Sequence, residues 1–360
     1  MKLKKLFAGI VAVAMMATMA APAFANREEF PCSDTLTLTK TYAVESGTSP
    51  AVSFDFTLAD DTTKKNDYGA PEKSPLPDIK TWTLEFDPAS KGGTNETQVK
   101  TIELDFTKFG FDHVGRYYYV IEEASADAKY PGVTSDTQKV YMTVNVRNRS
   151  EDAADGFKYY AVLRKGSNDA DDKIEGKDAF KNTYNANDLT ISKTVHGDLG
   201  DLGKTFAFKV KLDAVDGATY GTATIKYNAA NNGVVLPDGA TNPSTIAVGS
   251  EATIYLKHKG EATISNLPAG VTYTVTELES DDAYRVSVDV YSTTTAFNEE
   301  DKTASGTIVN DTNAVNFHNN HEGVLDTGVI LDNAPYIALL TIVAAGAVVM
   351  IMKKRRNYED

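Results

Sequence analysis

Lys, Glu and Asn occur in this chain at positions where a strand would be expected to carry apolar side chains. In LTLTKTY the alternation puts Leu36, Leu38, Lys40 and Tyr42 on one face and Thr35, Thr37, Thr39 and Thr41 on the other, because successive side chains of a strand point to opposite faces. The apolar face is the buried one, so Lys40 points into a core. LTISKTV repeats the pattern, with Lys193 in line with Leu189, Ile191 and Val195. VTYTVTE lines up Glu277 with Val271, Tyr273 and Val275, and Asn319 falls in line with Val315 and Phe317, as Asn182 does with Phe180.

A lone buried ammonium is costly, and burial lowers the pKa of Lys while raising that of Glu. Two outcomes are open. The residues form a buried Lys–Glu salt bridge with Asn as a hydrogen-bonding neighbour, or they react. A neutral Lys amine is a nucleophile, and a protonated Glu can polarise the Asn amide and shuttle protons as ammonia leaves. The product is a Lys–Asn isopeptide bond.

The elements that must position these residues are strands. Short alternating runs rich in Thr, Val and Tyr recur in SFDFTL, TWTLEF, YMTVNV, TFAFKVKL and YRVSVDV, separated by clusters of Gly, Asn, Asp and Pro. That pattern predicts an all-β sandwich architecture. The chain also repeats itself: LTLTKTY (36–42) matches LTISKTV (189–195), YYYVIEE (117–123) matches YTVTELE (273–279), and AFKNTY (179–184) matches NFHNNH (316–321). Two tandem Ig-like sandwiches are expected, over 26–185 and 186–321, joined near Tyr184–Asp188.

The two ends carry different signals. Residues 1–25 have a basic start, an apolar middle and an Ala23-Phe24-Ala25 ending, which predicts a secretory signal peptide. The run 334–352 has no charge and is long enough to cross a bilayer as a helix, with Lys353, Lys354, Arg355 and Arg356 behind it to hold the tail inside. The whole chain carries a net charge of −14. The two ends contribute seven bases and three acids, so residues 26–327 carry −18. Such a surface repels nucleic acid. Cys32 is the one cysteine, so no internal disulfide is possible. The five histidines are scattered, and His318 and His321 lack further ligands, so no metal or other cofactor is expected.

Just ahead of the apolar run stands Val324-Leu325-Asp326-Thr327-Gly328. Motif, apolar run and basic tail over 322–360 resemble a sortase sorting signal, although the usual Leu-Pro-X-Thr-Gly has no Pro here. The resemblance implies sortase cleavage between Thr327 and Gly328, transfer of the Thr327 carbonyl to an amine, and a membrane run that serves as a transient anchor.

The chain is similar over most of 34–328 to the two-domain major pilins of Gram-positive bacteria, built from collagen-adhesin B-type (CnaB-like) Ig-like domains. The most specific segment is Ile264-Ser-Asn266-Leu-Pro268-Ala-Gly270-Val-Thr-Tyr273-Thr-Val-Thr-Glu277. Carried over by position, the resemblance implies links between Lys40 and Asn182, with Glu122 as catalyst, and between Lys193 and Asn319, with Glu277. Either Glu122 or Glu123 could serve in the first domain. Glu122 is favoured because it follows Val120 as Glu277 follows Val275. The family's inter-subunit lysine would be Lys173 or Lys177, with Lys173 preferred.

The implied protein is the shaft subunit of a wall-anchored, extracellular pilus, not an enzyme with turnover. Its partners would be a pilus sortase, identical subunits head to tail, minor pilins and peptidoglycan. The alternative is an adhesin or minor pilin of the same domain type, attached singly to peptidoglycan.

Overall fold

A computed structural model describes residues 31–150, 156–176, 179–278, 283–290, 296–310 and 312–323. The signal segment, Lys177 and the whole of 324–360, including the Thr327–Gly328 motif, lie outside the described residues. Among the described residues no helix is long and apolar enough to cross a membrane.

The described architecture is all-β, with 3₁₀ turns at Phe106–Lys108 and Ala229–Asn231. Four sheets form two sandwiches with separate apolar cores. In the first sandwich, one sheet has the order Thr97–Asp105, Thr35–Val44, Phe180–Tyr184, Val133–Thr134. The facing sheet of six centres on Val140–Asn148, Gly115–Glu123 and Val52–Asp60. The second sandwich repeats the plan. Glu261–Leu267, Asn187–His196, Asn313–Asn320 and Arg285–Val290 are neighbours in one sheet, and Glu251–Leu256, Phe206–Asp213 and Thr272–Leu278 in the other. The last strand of the first sandwich ends at Tyr184, and the first strand of the second begins at Asn187.

Each sandwich has one parallel pairing that matters for the site: its first strand lies beside its last. Lys40 is opposite Phe180 and Tyr42 opposite Asn182; Lys193 is opposite Phe317 and Val195 opposite Asn319. We call these the lysine strand (Thr35–Val44, Asn187–His196) and the asparagine strand (Phe180–Tyr184, Asn313–Asn320) of each domain. The glutamate strand (Gly115–Glu123, Thr272–Leu278) lies in the opposite sheet. The lysine strands alternate as their sequences require: Leu38, Lys40, Tyr42 and Val44 are buried in one, and Leu189, Ile191, Lys193 and Val195 in the other.

The first glutamate strand does not alternate. Tyr117, Tyr118 and Tyr119 are all buried, because the segment after Asp60 folds over the outer face of the sheet. Ser74 Oγ donates to the Tyr118 carbonyl at 2.9 Å, and the Tyr118 N–H donates to Asn66 Oδ1 at 3.2 Å. The stretch Gly69–Pro77 reads as an exposed loop in the sequence, yet its Ser74 packs against this sheet.

At the junction between sandwiches one side chain makes several of the hydrogen bonds. Asn266, at a positive φ of 74°, accepts the Thr48 N–H at 2.7 Å and donates to the Thr48 carbonyl at 2.9 Å and the Thr222 carbonyl at 3.0 Å. Ser46 adds a hydrogen bond to the Ala186 carbonyl at 2.7 Å, and the Thr219 N–H reaches the Lys129 carbonyl at 2.8 Å.

Candidate functional site

The lysine and asparagine strands supply two of three groups from one sheet, and the glutamate strand supplies the third from the sheet facing it. Register fixes the geometry. Asn182 lies two positions beyond Phe180, the residue opposite Lys40, and Asn319 lies two beyond Phe317, the residue opposite Lys193. The Lys and Asn side chains are therefore diagonal neighbours on one inward face, where long side chains can meet.

In the second domain Lys193 Nζ lies 2.8 Å from Glu277 Oε2, and Asn319 Nδ2 donates to Glu277 Oε1 at 2.6 Å. Both members of the ion pair have fully buried side chains. The ammonium lies 4.1 Å from the ring centre of Phe206 and 5.5 Å from that of Phe208. In the first domain Lys40 Nζ lies 2.5 Å from Glu123 Oε2, and Asn182 Nδ2 donates to Glu123 Oε1. Phe54 and Phe56 take the places of Phe206 and Phe208, at 4.5 and 5.8 Å. In each domain one carboxyl therefore bridges the amine and the amide.

The first-domain carboxyl is Glu123 and not Glu122. The Glu123 side chain is fully buried against Lys40. Glu122 points the other way, is 46 % exposed and pairs with Lys139 at 2.6 Å. The correct repeat match therefore sets Tyr119, Ile121 and Glu123 against Tyr273, Val275 and Glu277, two residues away from the alignment of 117–123 with 273–279. Strand pairing agrees: Glu123 is opposite Phe56 as Glu277 is opposite Phe208. With three consecutive tyrosines buried, the sequence offered no parity to show which acid faces in.

Electrostatics push both first-domain groups toward neutrality. Burial lowers Lys40 to about 8, against the opposing pull of Glu123, and raises the Glu123 carboxyl above its ordinary range. Burial likewise lowers Lys193 to about 8, with Glu277 opposing. A proton moved from ammonium to carboxylate would leave a neutral amine beside a carboxylic acid, with the amide on the acid's other oxygen.

Lys173 is exposed on the edge strand Lys173–Ile174, beside Phe157–Arg164 and shortly ahead of the first asparagine strand. Cys32 is exposed and free. Folding gathers histidines that are scattered in the sequence: His196 Nε2 lies 3.3 Å from His318 Nδ1, and His318 Nε2 lies 2.8 Å from Asp289. Among the described residues no group of three or more His, Cys, Asp or Glu could hold a metal ion.

Two sandwiches with a bridged Lys–Glu–Asn set in each core define a class of tandem β-sandwich protein, and comparison with known proteins gives the family. A family model described as a Spy0128-like isopeptide containing domain (FctA) matches residues 36–185, and one described as a domain of unknown function (DUF7601) matches residues 187–321. The chain is 30 % identical over 318 residues to a pilin of Streptococcus pyogenes serotype M1, covering 85 % of this chain and 86 % of that one. It belongs to this pilin family. It is also 32 % identical over 145 residues to the pilus tip adhesin Cpa of S. pyogenes, covering 40 % of this chain and 18 % of the adhesin. The crystal structure of the major pilin from S. pyogenes superposes with a TM-score of 0.55 at 25 % identity, over 81 % of this chain and 99 % of that one. The T3.2 major pilin shares the fold at a TM-score of 0.52 and 20 % identity, over the same shares of the two chains.

Proposed function

We propose that this chain is the shaft subunit of a covalently polymerised pilus and that each of its domains crosslinks itself. The observation that carries the reading is the same bridged set in both cores: Lys40, Glu123 and Asn182, and Lys193, Glu277 and Asn319. The amine Nζ attacks the Asn Cγ, and Glu takes the surplus proton from Nζ and returns it to Nδ2. The Nζ–Cγ bond forms, the Cγ–Nδ2 bond breaks, and ammonia leaves. Nothing is oxidised or reduced. Both lysines are completely buried, which supports an intramolecular single event over turnover on an outside substrate.

Polymerisation rests on the C-terminal signal. A sortase would cleave between Thr327 and Gly328 and pass the Thr327 acyl group to a lysine of the next subunit. Lys173 is the better described candidate, exposed and at a sheet edge. The last acceptor in the sequence of transfers would be peptidoglycan, and minor pilins would join through the same chemistry. The alternative is a singly attached adhesin or tip subunit, which the match to Cpa favours. That match reaches only 18 % of the adhesin, whereas the pilin is covered over 86 % of its length, and the shaft reading is the stronger.

Intact mass of residues 26–327, produced without sortase, tests the crosslinks. A deficit of two ammonia masses is expected; no deficit leaves two buried salt bridges and overturns the reaction. Wall extracts from the native host should give a ladder on denaturing gels. A single band would favour the singly attached alternative.

A further inference from the structure

The two sets differ at one atom. Asn182 Oδ1 accepts the backbone N–H of Asp136 at 2.7 Å, on the far side of the amide from Glu123. Asp136 is itself held in place: its Oδ2 accepts the Lys181 N–H at 2.9 Å and its Oδ1 the Gln138 N–H at 3.0 Å. In the second domain Asn319 Oδ1 is buried and has no hydrogen-bond partner among the described residues.

Topology accounts for the difference. In the first domain the outer neighbour of the asparagine strand is the two-residue strand Val133–Thr134, paired with Tyr184 and Thr183. The chain leaves the ladder there, so the N–H of Asp136 is free to address a side chain. In the second domain Arg285–Val290 pairs with Val315–Asn320, with Val286 opposite Asn319, and the backbone groups that it turns toward the asparagine strand belong to the ladder.

We infer that the Asp136 backbone amide is the oxyanion donor of the first-domain crosslinking reaction, and that the second domain runs the same reaction with no equivalent donor among its described residues. The inference rests on the crosslinking reading above. Attack at Cγ turns Oδ1 from a carbonyl oxygen into an oxyanion. A donor already within hydrogen-bond distance needs no reorganisation at that moment. The Asn182 amide thus lies between the two aids its reaction needs, a proton source at the leaving nitrogen and a donor at the oxygen that gains charge. Asp136 reaches this position through its main chain, and its carboxylate serves to hold that main chain against Lys181.

The experiment is a time course. The full chain is translated cell-free without sortase, quenched in acid at intervals and digested, and the Lys40–Asn182 and Lys193–Asn319 crosslinked peptides are quantified separately. In the wild type the first bond should lead the second. Asp136→Pro, which removes the N–H, should slow the first bond by about 10²-fold and leave the second unchanged as an internal control. Asp136→Ala keeps the N–H and should slow the first bond far less. Equal first-bond rates in the Pro and Ala variants would overturn the inference. If the Pro variant fails to fold, the wild-type order decides, and a second bond that closes first overturns it. Absence of both bonds from the wild type would instead remove the crosslinking reading itself.

Discussion

Glu123 and Glu122 are adjacent in sequence and lie in opposite environments, and this separates their expected phenotypes. Glu123→Gln should reduce the mass deficit from two ammonia units to one, because the bridging proton carrier is gone. Glu122→Gln removes only a partner of exposed Lys139 and should leave both bonds intact; a lost bond there would return the assignment to Glu122. The pH dependence follows from the same pair. The reacting form holds one proton between Lys and Glu. Below the raised pKa of Glu123 the lysine is fixed as ammonium beside a neutral acid, and above about 8, the lowered value of Lys40, the pair loses the proton with which Glu123 acts as an acid toward the Asn182 amide. The rate of first-bond closure should therefore be bell-shaped with a descending limb near pH 8, measured by intact mass after cell-free synthesis across a pH series. A rate that keeps climbing well above that pH would show that the free amine suffices and the acid does not act.

At the scale of elements, the lysine strands were the most legible part of the sequence. Their Thr-facing alternation is unbroken, and the polar residue on the apolar side stands out for that reason. The asparagine strands were nearly as clear, since Phe180 and Phe317 set the face. The glutamate strand of the first domain was not, because a loop from elsewhere in the chain buries its outer face and removes the contrast on which parity depends. The parallel pairing of first and last strands was also hidden, as periodicity carries no information about which strands are neighbours. Asn266 is a third case. Its place in the Asn-Leu-Pro segment marked a resemblance, but its role depends on Thr48 in the other domain. Asn tolerates a left-handed backbone better than most residues, and its amide satisfies both the N–H and the C=O of Thr48. Asn266→Ala should therefore destabilise the junction by about 1–3 kcal/mol, seen as faster hydrogen exchange at the Thr48 amide with the crosslinks unaffected. Unchanged exchange would mean that the other junction contacts hold the domains without it.

For the whole molecule, the proposed crosslinks would stand in for the disulfides that a chain with one cysteine cannot form. Each would close a loop spanning nearly a whole domain, and the chain-entropy treatment of such loops gives about 5 kcal/mol per tie. The double variant Glu123→Gln, Glu277→Gln should melt more than about 10 °C below its parent by calorimetry; equal melting temperatures would mean that the ties do not govern stability. Under tension the parallel arrangement has a further effect. Because the first strand lies beside the last and runs the same way, force enters one end of a domain and leaves by the other. With both bonds closed, it passes from Lys40 to Asn182, along the short join into Asn187–His196, and from Lys193 to Asn319. Residues 41–181 and 194–318 lie on closed side branches. Most of the surface of such a subunit would then be mechanically silent. A loop could lengthen, shed residues or change its charge under immune pressure while the fibre's extension stayed fixed by a few strands whose tied side chains are buried.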